Sequence, residues 1–324
     1  LREFLSDPRV IDIPAVARWL LLNLIILPLR PRKSGAAYAK IWGDRGSPLI
    51  YHSQDLRDRV AGLIADRPDG ERYQVALAMR YGQPSIGSAL QRFRENGVQS
   101  IKVLPLYPQY STAATASSIA RVLELASDDW NPPTFDILPP FFDHRGFLEP
   151  YAALAAEKLK DAENQGRFSF DHVLFSFHGI PERHILKGNV HNHCELSDSC
   201  CATIGPHNRY CYRAHCYATA RELAARLDLP EGQWSVSFQS RLGRTPWLQP
   251  YTDFELEALP ERGVKNLAVL SPAFVADCLE TLEEIDMEGR ETFREAGGEN
   301  FTYVPCLNAD PAWAEGVVEI LDLD

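Results

Sequence analysis

The stretch Asp171-His172-Val173-Leu174-Phe175-Ser176-Phe177-His178-Gly179-Ile180-Pro181 sets the reading of the whole chain. Val173 to Phe177 is an apolar run of branched and aromatic residues, of the length of a buried strand. Pro181 cannot donate to a ladder, so the strand ends at His178-Gly179. In an open α/β sheet, ligands bind just beyond the carboxyl ends of the strands. A histidine at such an end either satisfies a strand-to-loop turn or faces a ligand, and its neutral ring can accept a proton or bind a metal near pH 7.

Outward from this strand, helix-like and strand-like segments alternate. Upstream, Ser53 to Ile64 reads as helix, Gln74 to Met79 as a strand ending in Arg80-Tyr81-Gly82, and Ser85 to Asn96 as an amphipathic helix stopped by Gly97. Ile101 to Leu106 is a second strand, Ser111 to Ser127 a helix capped by Ser111 or Thr112, Phe135 to Leu138 a third strand, and Phe147 to Asn164 a long helix. Downstream, helices at Tyr217 to Leu227, Thr252 to Leu259, Asp277 to Ala296 and Pro311 to Leu321 alternate with strands at Trp234 to Gln239, Asn266 to Ser271 and Thr302 to Pro305. This rhythm predicts an α/β fold of two doubly wound domains, with parallel sheets covered on both faces and a cleft between them. The expected division is 1–165 and 166–324, in keeping with 324 residues.

Composition narrows the function. Hydrophobic residues make up 45% and charged residues 24%, which is ordinary for a soluble globular chain. A net charge of -11 argues against nucleic acid as a partner, because phosphate binding needs clustered Lys and Arg. The apolar run Ala15 to Leu29 is too short to span a bilayer, carries Arg18 and Asn23, and meets Pro28. It reads as a buried helix, the alternative being an exposed lip for a greasy ligand or a membrane surface. No cleavable signal peptide is visible, so a cytoplasmic location is expected, at most peripheral to an inner membrane.

A second group lies in Ser271 to Ile285. Asp277, Glu280 and Glu284, spaced three and then four residues apart, are expected on one face of a helix that starts at a strand's carboxyl end. Such a stripe is either solvated or faces a cleft. In a cleft the carboxylates repel one another, raise at least one pKa, and act as proton acceptors or hard-metal ligands.

Phe175-Ser176-Phe177-His178-Gly179-Ile180-Pro181 and Asp277-Cys278-Leu279-Glu280-Thr281-Leu282-Glu283-Glu284 resemble the two signature stretches of the ferrochelatases. Arg80-Tyr81-Gly82, Leu104 to Ser111, Phe238-Gln239-Ser240-Arg241 and Pro246-Trp247-Leu248 fit the same family, in order, over nearly the whole chain. The resemblance implies Rossmann-like, chelatase-type domains and insertion of Fe(II) into protoporphyrin IX, giving protohaem and two protons. It places His178 at the ring nitrogens and Glu280 across the macrocycle, with Asp277 and Glu284 continuing towards solvent as a path for iron or protons. Tyr81 and Trp247 are expected to stack on or edge the ring, Arg80 and Arg241 to pair with propionates, and Ser111 to hydrogen-bond a carboxylate. For each of these the alternative is a core aromatic, a structural ion pair or a cap.

Two departures from the family pattern stand out. The opening strand Leu-x-Asn-Leu-Gly-x-Pro of family members is not in this sequence, and Cys278 stands where many relatives place a histidine. The chain also has seven cysteines, five of them between Cys194 and Cys216, in an insert spanning Lys187 to Cys216 with His191, His193, His207 and His215 interspersed. Such clustering in a long chain suits a metal site more than a disulfide framework. Four thiolates in a loop suit a 2Fe-2S cluster, which some ferrochelatases carry, and Cys194, Cys200, Cys201 and Cys211 lie inside the insert and are expected to hold it, with Cys216 in reserve and structural zinc, disulfides or free thiols as the alternatives. The competing functions are a non-catalytic tetrapyrrole carrier or redox sensor, and a chelatase for another ring or metal.

Overall fold

The computed structural model describes residues 1–160, 170–197, 199–241, 243 and 245–323. In chain order the amino-terminal half contains α1 (Arg2–Ser6), α2 (Ala15–Leu20), α3 (Leu27–Ile41), α4 (Pro48–Ala65), α5 (Ile86–Glu95), β1 (Ser100–Val103), α6 (Ser117–Ser127), β2 (Thr134–Ile137) and α7 (Arg145–Lys160). The carboxyl-terminal half contains β3 (His172–His178), α8 (Glu182–Gly188), α9 (Tyr212–Arg226), β4 (Trp234–Gln239), α10 (Thr252–Glu261), β5 (Asn266–Leu270), α11 (Leu279–Thr281), α12 (Arg290–Glu295), β6 (Asn300–Val304) and α13 (Pro311–Leu321). Wide π-helical turns join α2 to α3 over Leu21–Ile26 and α11 to α12 over Leu282–Gly289, and Thr112–Ala116 leads into α6 in the same way.

β3 lies inside a four-stranded parallel sheet of order β4-β3-β5-β6. Every residue of β3 before His178 is buried, which explains why Val173, Leu174, Phe175 and Phe177 are apolar on both faces. Val173, Phe175 and Phe177 belong to the main core, which α7, α9 and α13 help to form. Leu174 points to the other face and joins Leu256, Leu259, Ile285 and Phe293. Each such fully buried side chain contributes about 1.5–3 kcal/mol. Ser176 is also fully buried, and its hydroxyl donates to Gln239 Oε1 at 3.0 Å and pairs with Thr252 Oγ1 at 2.9 Å.

The other sheet is the parallel pair β1–β2, with Ile101 opposite Phe135. The segment expected as a strand at Gln74 to Met79 forms no ladder among the described residues and makes a single bridge, Met79 to Ser85. Val75 packs against the main core, while Gln74 and Ala78 are exposed. α7 and α13 cross so closely that a Cβ on Gly316 would sit 1.9 Å from the Gly146 carbonyl oxygen, so both positions demand glycine. The expected domain boundary at 165, and the end of the helix expected to run to Asn164, lie outside the described residues.

The apolar run at Ala15 to Leu29 is helical, but most of it is not buried. Only Leu22 and Ile26 are covered, in a small core with Leu5 and Ile11. Val16, Trp19, Leu24, Ile25 and Leu29 are exposed. The helix continues through Pro28, which falls where the wide π turn over Leu21–Ile26 passes into α3, and Pro31 lies further inside α3. No helix among the described residues is long and apolar enough to cross a membrane.

Candidate active site

A cleft of about 1050 Å³ opens between α3, with Arg80, Tyr81 and Tyr107, on one side and the ends of β4 and the α11–α12 helix on the other. Gln239, Ser240, Arg241, Cys278, Glu280, Glu283, Glu284 and Glu288 form the second wall. Its size is at the upper end of the roughly 300–1,000 Å³ of small-molecule sites. His178, Trp247, Ser111 and Asp277 are not on this lining.

His178 closes β3 directly opposite Gln239 of β4, one strand away from the cleft wall. Its Nδ1 donates to the Gly179 carbonyl at 2.6 Å, because a carbonyl can only accept. The neutral ring therefore keeps its lone pair on Nε2. Tyr212 Oη donates to the His178 carbonyl at 2.7 Å, and Phe274 meets the ring edge to face at 6.2 Å. A Cβ on Gly179 would come within 2.9 Å of the carbonyl oxygens of Gln239 and Ser240 and 3.4 Å of Trp247, so only glycine lets the loop turn here. Trp247 thus backs the histidine loop, bridging Pro181 and packing over Gly179.

The acidic helix is built differently from its expected periodicity. It starts after Cys278, two residues later than Asp277, and widens into a π turn from Leu282. Asp277 therefore does not continue the cleft face. It is 4% exposed and accepts from Tyr303 Oη at 2.7 Å, Asn308 Nδ2 at 2.7 Å, Thr281 Oγ1 at 3.0 Å and the Cys306 N–H at 3.3 Å. Its lone pairs are consumed in anchoring the helix start.

Glu280 and Glu284 do line the cleft. Burial, reinforced by Glu280, Glu283 and Glu288 and only partly opposed by the hydrogen bond from Ser240 Oγ, pushes Glu284 up to about 7. Tyr38 of α3 stands over this face, and burial together with the charges of Glu280 and Glu284 raises its hydroxyl to about 12. Lys40 of α3 reaches Glu283 at 2.6 Å, tying the two walls together. Tyr38 and Lys40 lie outside the motifs, whereas Ser240 and Glu283 lie within two of them without a role having been expected of either.

Arg80 and Tyr81 line the cleft, but their polar ends are committed. Arg80 donates to Asp7 at 2.6 Å and to Ser117 Oγ at 2.7 Å, and Tyr81 Oη donates to Asp7 at 2.9 Å. Arg241 is exposed at the rim, paired with Asp253 at 2.8 Å and lying over Tyr251 and Phe254 at 4.5 and 4.6 Å. Ser111 is a helix cap, accepting from the Ala114 N–H at 3.2 Å, and this leaves it away from any cleft ligand.

In the insert the thiols are neighbours. Cys200 Sγ lies 3.9 Å from Cys201 Sγ, close to the edge of a tetrahedron of metal-bound thiolates, about 3.8 Å from bond lengths of 2.3 Å. Burial, with a smaller contribution from the nearby Cys200 and Cys201 thiols, pushes the Cys194 thiol up. A Cys201–Cys211 hydrogen bond pushes the Cys201 thiol up and pulls Cys211 down. Cys216 is fully buried in the main core beside Tyr212. Among the described residues no three His, Cys, Asp or Glu side chains are already arranged around a metal position.

Comparison with known proteins agrees with this geometry. Residues 1–323 match the family model Ferrochelatase. The chain is 47% identical to a ferrochelatase of Pseudomonas fluorescens biotype C over 97% of this chain and 88% of that protein. It is 43% identical to a ferrochelatase of Legionella pneumophila (strain Lens), covering 99% and 92%, and 41% identical to one of Coxiella burnetii (strain CbuK_Q154), covering 99% and 86%. With a full-length family match and relatives well above the level at which homology is secure, the chain belongs to the ferrochelatase family.

Proposed function

We propose that the chain inserts ferrous iron into protoporphyrin IX, releasing two protons and giving protohaem. The observation that carries this reading is the pairing of two opposite proton-handling groups across one strand position. His178, its Nδ1 held by the Gly179 carbonyl, stands at the end of β3, and the Glu280–Glu284 face stands beyond its neighbour Gln239. A flat macrocycle shields its nitrogens, and both pyrrole protons must leave as the metal enters. His178 Nε2 can accept a proton at the ring face. Glu284, with its proton affinity raised by burial, can take one and pass it along the acidic wall towards Glu288. Glu280, on the cleft wall one strand away from the end of β3, offers a hard oxygen ligand to the entering Fe(II).

Tyr81 and Arg80 form the ring-facing wall, their rigidity set by Asp7, and Arg241 at the rim offers a cation to a propionate. Trp247 acts by supporting the histidine loop. In the insert, the neighbouring thiols of Cys194, Cys200, Cys201 and Cys211 support a 2Fe-2S cluster, with Cys216 too deeply buried to be a first choice. Such a cluster would supply one-electron redox chemistry, and no step of chelation uses it. The exposed apolar side chains Val16, Trp19, Leu24, Ile25 and Leu29, followed by Arg30, Arg32 and Lys33, support peripheral contact with an anionic membrane surface on the cytoplasmic side.

The test is an anaerobic assay with Fe(II) and protoporphyrin. Conversion of free-porphyrin to metalloporphyrin absorption that disappears in His178→Ala supports the reading. Tight porphyrin binding without metallation by the unaltered protein defeats it.

A further inference from the structure

Helix α9 leads the chain out of the cysteine-rich insert, and it carries two polar side chains that chelation does not use. His215 and Thr219 are one turn apart on the same helical face, and both are fully buried. His215 lies flat on Phe142, with ring centroids 3.8 Å apart and planes 14° apart. Its Nε2 is 2.8 Å from the carbonyl oxygen of Arg209 in the insert, and its Nδ1 is 3.1 Å from the backbone nitrogen of Tyr110. A carbonyl can only accept, so Nε2 carries the proton and donates to Arg209. Nδ1 then keeps its lone pair and accepts from the Tyr110 N–H. The backbone at Arg209 thus selects the one neutral tautomer that can hold the Tyr110 amide.

Thr219 grips the preceding residue. Its Oγ1 accepts from Gln109 Nε2 at 3.0 Å and donates to the Phe142 carbonyl at 2.9 Å. Gln109 Nε2 also donates to the carbonyl of Pro272 at 3.2 Å, between the end of β5 and the acidic helix. The Tyr110 ring rests against Tyr210 of the insert, with centroids 5.2 Å apart.

The pinned pair Gln109–Tyr110 sits between residues that line the cleft, with Tyr107 on one side and Ala113 and Ala114 on the other. Ser111 carries the constraint onward. Its N–H donates to Thr115 Oγ1 at 3.3 Å, and its hydroxyl accepts from the Ala114 N–H at 3.2 Å. A Tyr110 N–H deprived of its acceptor is costly in this covered position, so the loop shifts to find another and takes Ala113 and Ala114 with it.

We infer that His215 is a positioning residue for macrocycle binding: through its Nδ1 acceptor, assisted by Thr219, it fixes the Tyr107 and Ala113–Ala114 wall of the cleft. The inference rests on the porphyrin reading given above and extends it to a side chain outside the cleft.

The test uses the full chain, with protoporphyrin affinity read by fluorescence quenching in the absence of iron. His215→Asn places an amide oxygen where Nδ1 stands and loses the donor to Arg209. His215→Gln reaches the Arg209 carbonyl with its amide N–H and loses the acceptor for Tyr110. Each variant gives up one hydrogen bond and the stacking on Phe142, so similar falls in melting temperature are expected. Affinity should separate them, with His215→Asn within about twofold of the parent and His215→Gln weaker by about five- to tenfold. Equal weakening in both, or parent affinity in His215→Gln, overturns the inference and leaves the ring a purely structural part. Should His215→Gln fail to fold, Thr219→Val keeps the side-chain shape and frees Gln109 from the helix. Weaker porphyrin binding with a near-parent melt then supports the inference, and unchanged affinity overturns it. Because affinity is read without iron, a chain that binds the porphyrin but inserts no metal defeats the chelatase reading alone.

Discussion

Gln239 donates its Nε2 proton to the backbone carbonyl of Glu280 at 2.8 Å. The same residue is the strand partner of His178 and accepts from buried Ser176 through Oε1. One amide thus sets the distance between the two halves of the chemistry. Gln239→Leu keeps the volume but leaves a carbonyl and a hydroxyl without their partner. About 1–3 kcal/mol of stability is expected to go, read in denaturant melts. Chelation should slow by about tenfold per 1.4 kcal/mol of lost positioning, with metal KM shifting more than porphyrin KM.

His178 is held in one tautomer by its own neighbour's carbonyl. On the proposed reading His178→Ala removes the proton acceptor while Trp247 and Tyr212 keep the loop in place. The turnover number is expected to fall about 10²- to 10⁴-fold. Porphyrin affinity, read by fluorescence quenching, should change far less. A variant that loses porphyrin binding in proportion to rate would make His178 a structural residue.

The carboxyl of Glu284 titrates near 7 when folded, against 4.5 in an exposed chain, chiefly because of burial. Between those values the folded state holds a proton that the unfolded state has released, so stability declines as pH rises through the window and the full cost is present above about 7. Glu284→Gln removes that cost. Its melting temperature should gain on the parent progressively from pH 5 to pH 8, whereas a gain that is constant with pH would locate the proton elsewhere. The unaltered enzyme should also release a proton from this wall when a divalent ion binds at pH 6.5, and Glu284→Gln should release less.

How much of this was legible in the chain differs from residue to residue. β3 was readable because burial on both faces selects Val173, Leu174, Phe175 and Phe177, with the one polar side chain among them, Ser176, paired to Gln239 and Thr252. Gln74 to Met79 misled because local pattern cannot report whether a neighbouring strand exists to pair with. Asp277 misled because spacing assumes a uniform helix, and here the helix begins late and widens. Lys40 and Glu283 lie 243 residues apart, so no local pattern could join them. The apolar run at Ala15 to Leu29 gave its helix correctly but not its exposure, because hydrophobicity does not say what covers it.

The insert makes a prediction independent of the cleft. Cys201 and Cys211 interact so that Cys211 is lowered and Cys201 raised, which leaves one thiol, Cys211, readier to ionise beside Cys194 and the neighbouring Cys200–Cys201 sulfurs. Anaerobically purified protein is expected to show visible charge-transfer absorption from thiolate-bound iron, with two iron atoms per chain in a 2Fe-2S cluster. Cys200→Ser should lose the colour, and Cys216→Ser should keep it. A colourless protein carrying zinc would replace the cluster by a structural zinc.

Asp7 holds the amino-terminal segment to the cleft wall. Burial alone would raise its carboxyl, but hydrogen bonds from Ser117, the Arg9 N–H and Tyr81, with the charge of Arg80, outweigh this and lower it below 3.8. A group depressed in the folded state contributes stability above its unfolded pKa, and that contribution is lost as pH falls through the folded value. Acid should therefore release α1 and the Arg80–Tyr81 wall below about pH 4. Asp7→Asn leaves the Arg80 guanidinium, 15% exposed, without its counter-charge. The expected cost is about 3–5 kcal/mol at neutral pH, read by denaturant melts, with the acid limb of the stability curve flattened. Porphyrin affinity should fall in the same variant, because Tyr81 loses the acceptor that fixes its ring. An Asp7→Asn protein with unchanged affinity would show that the wall's rigidity does not matter to the macrocycle.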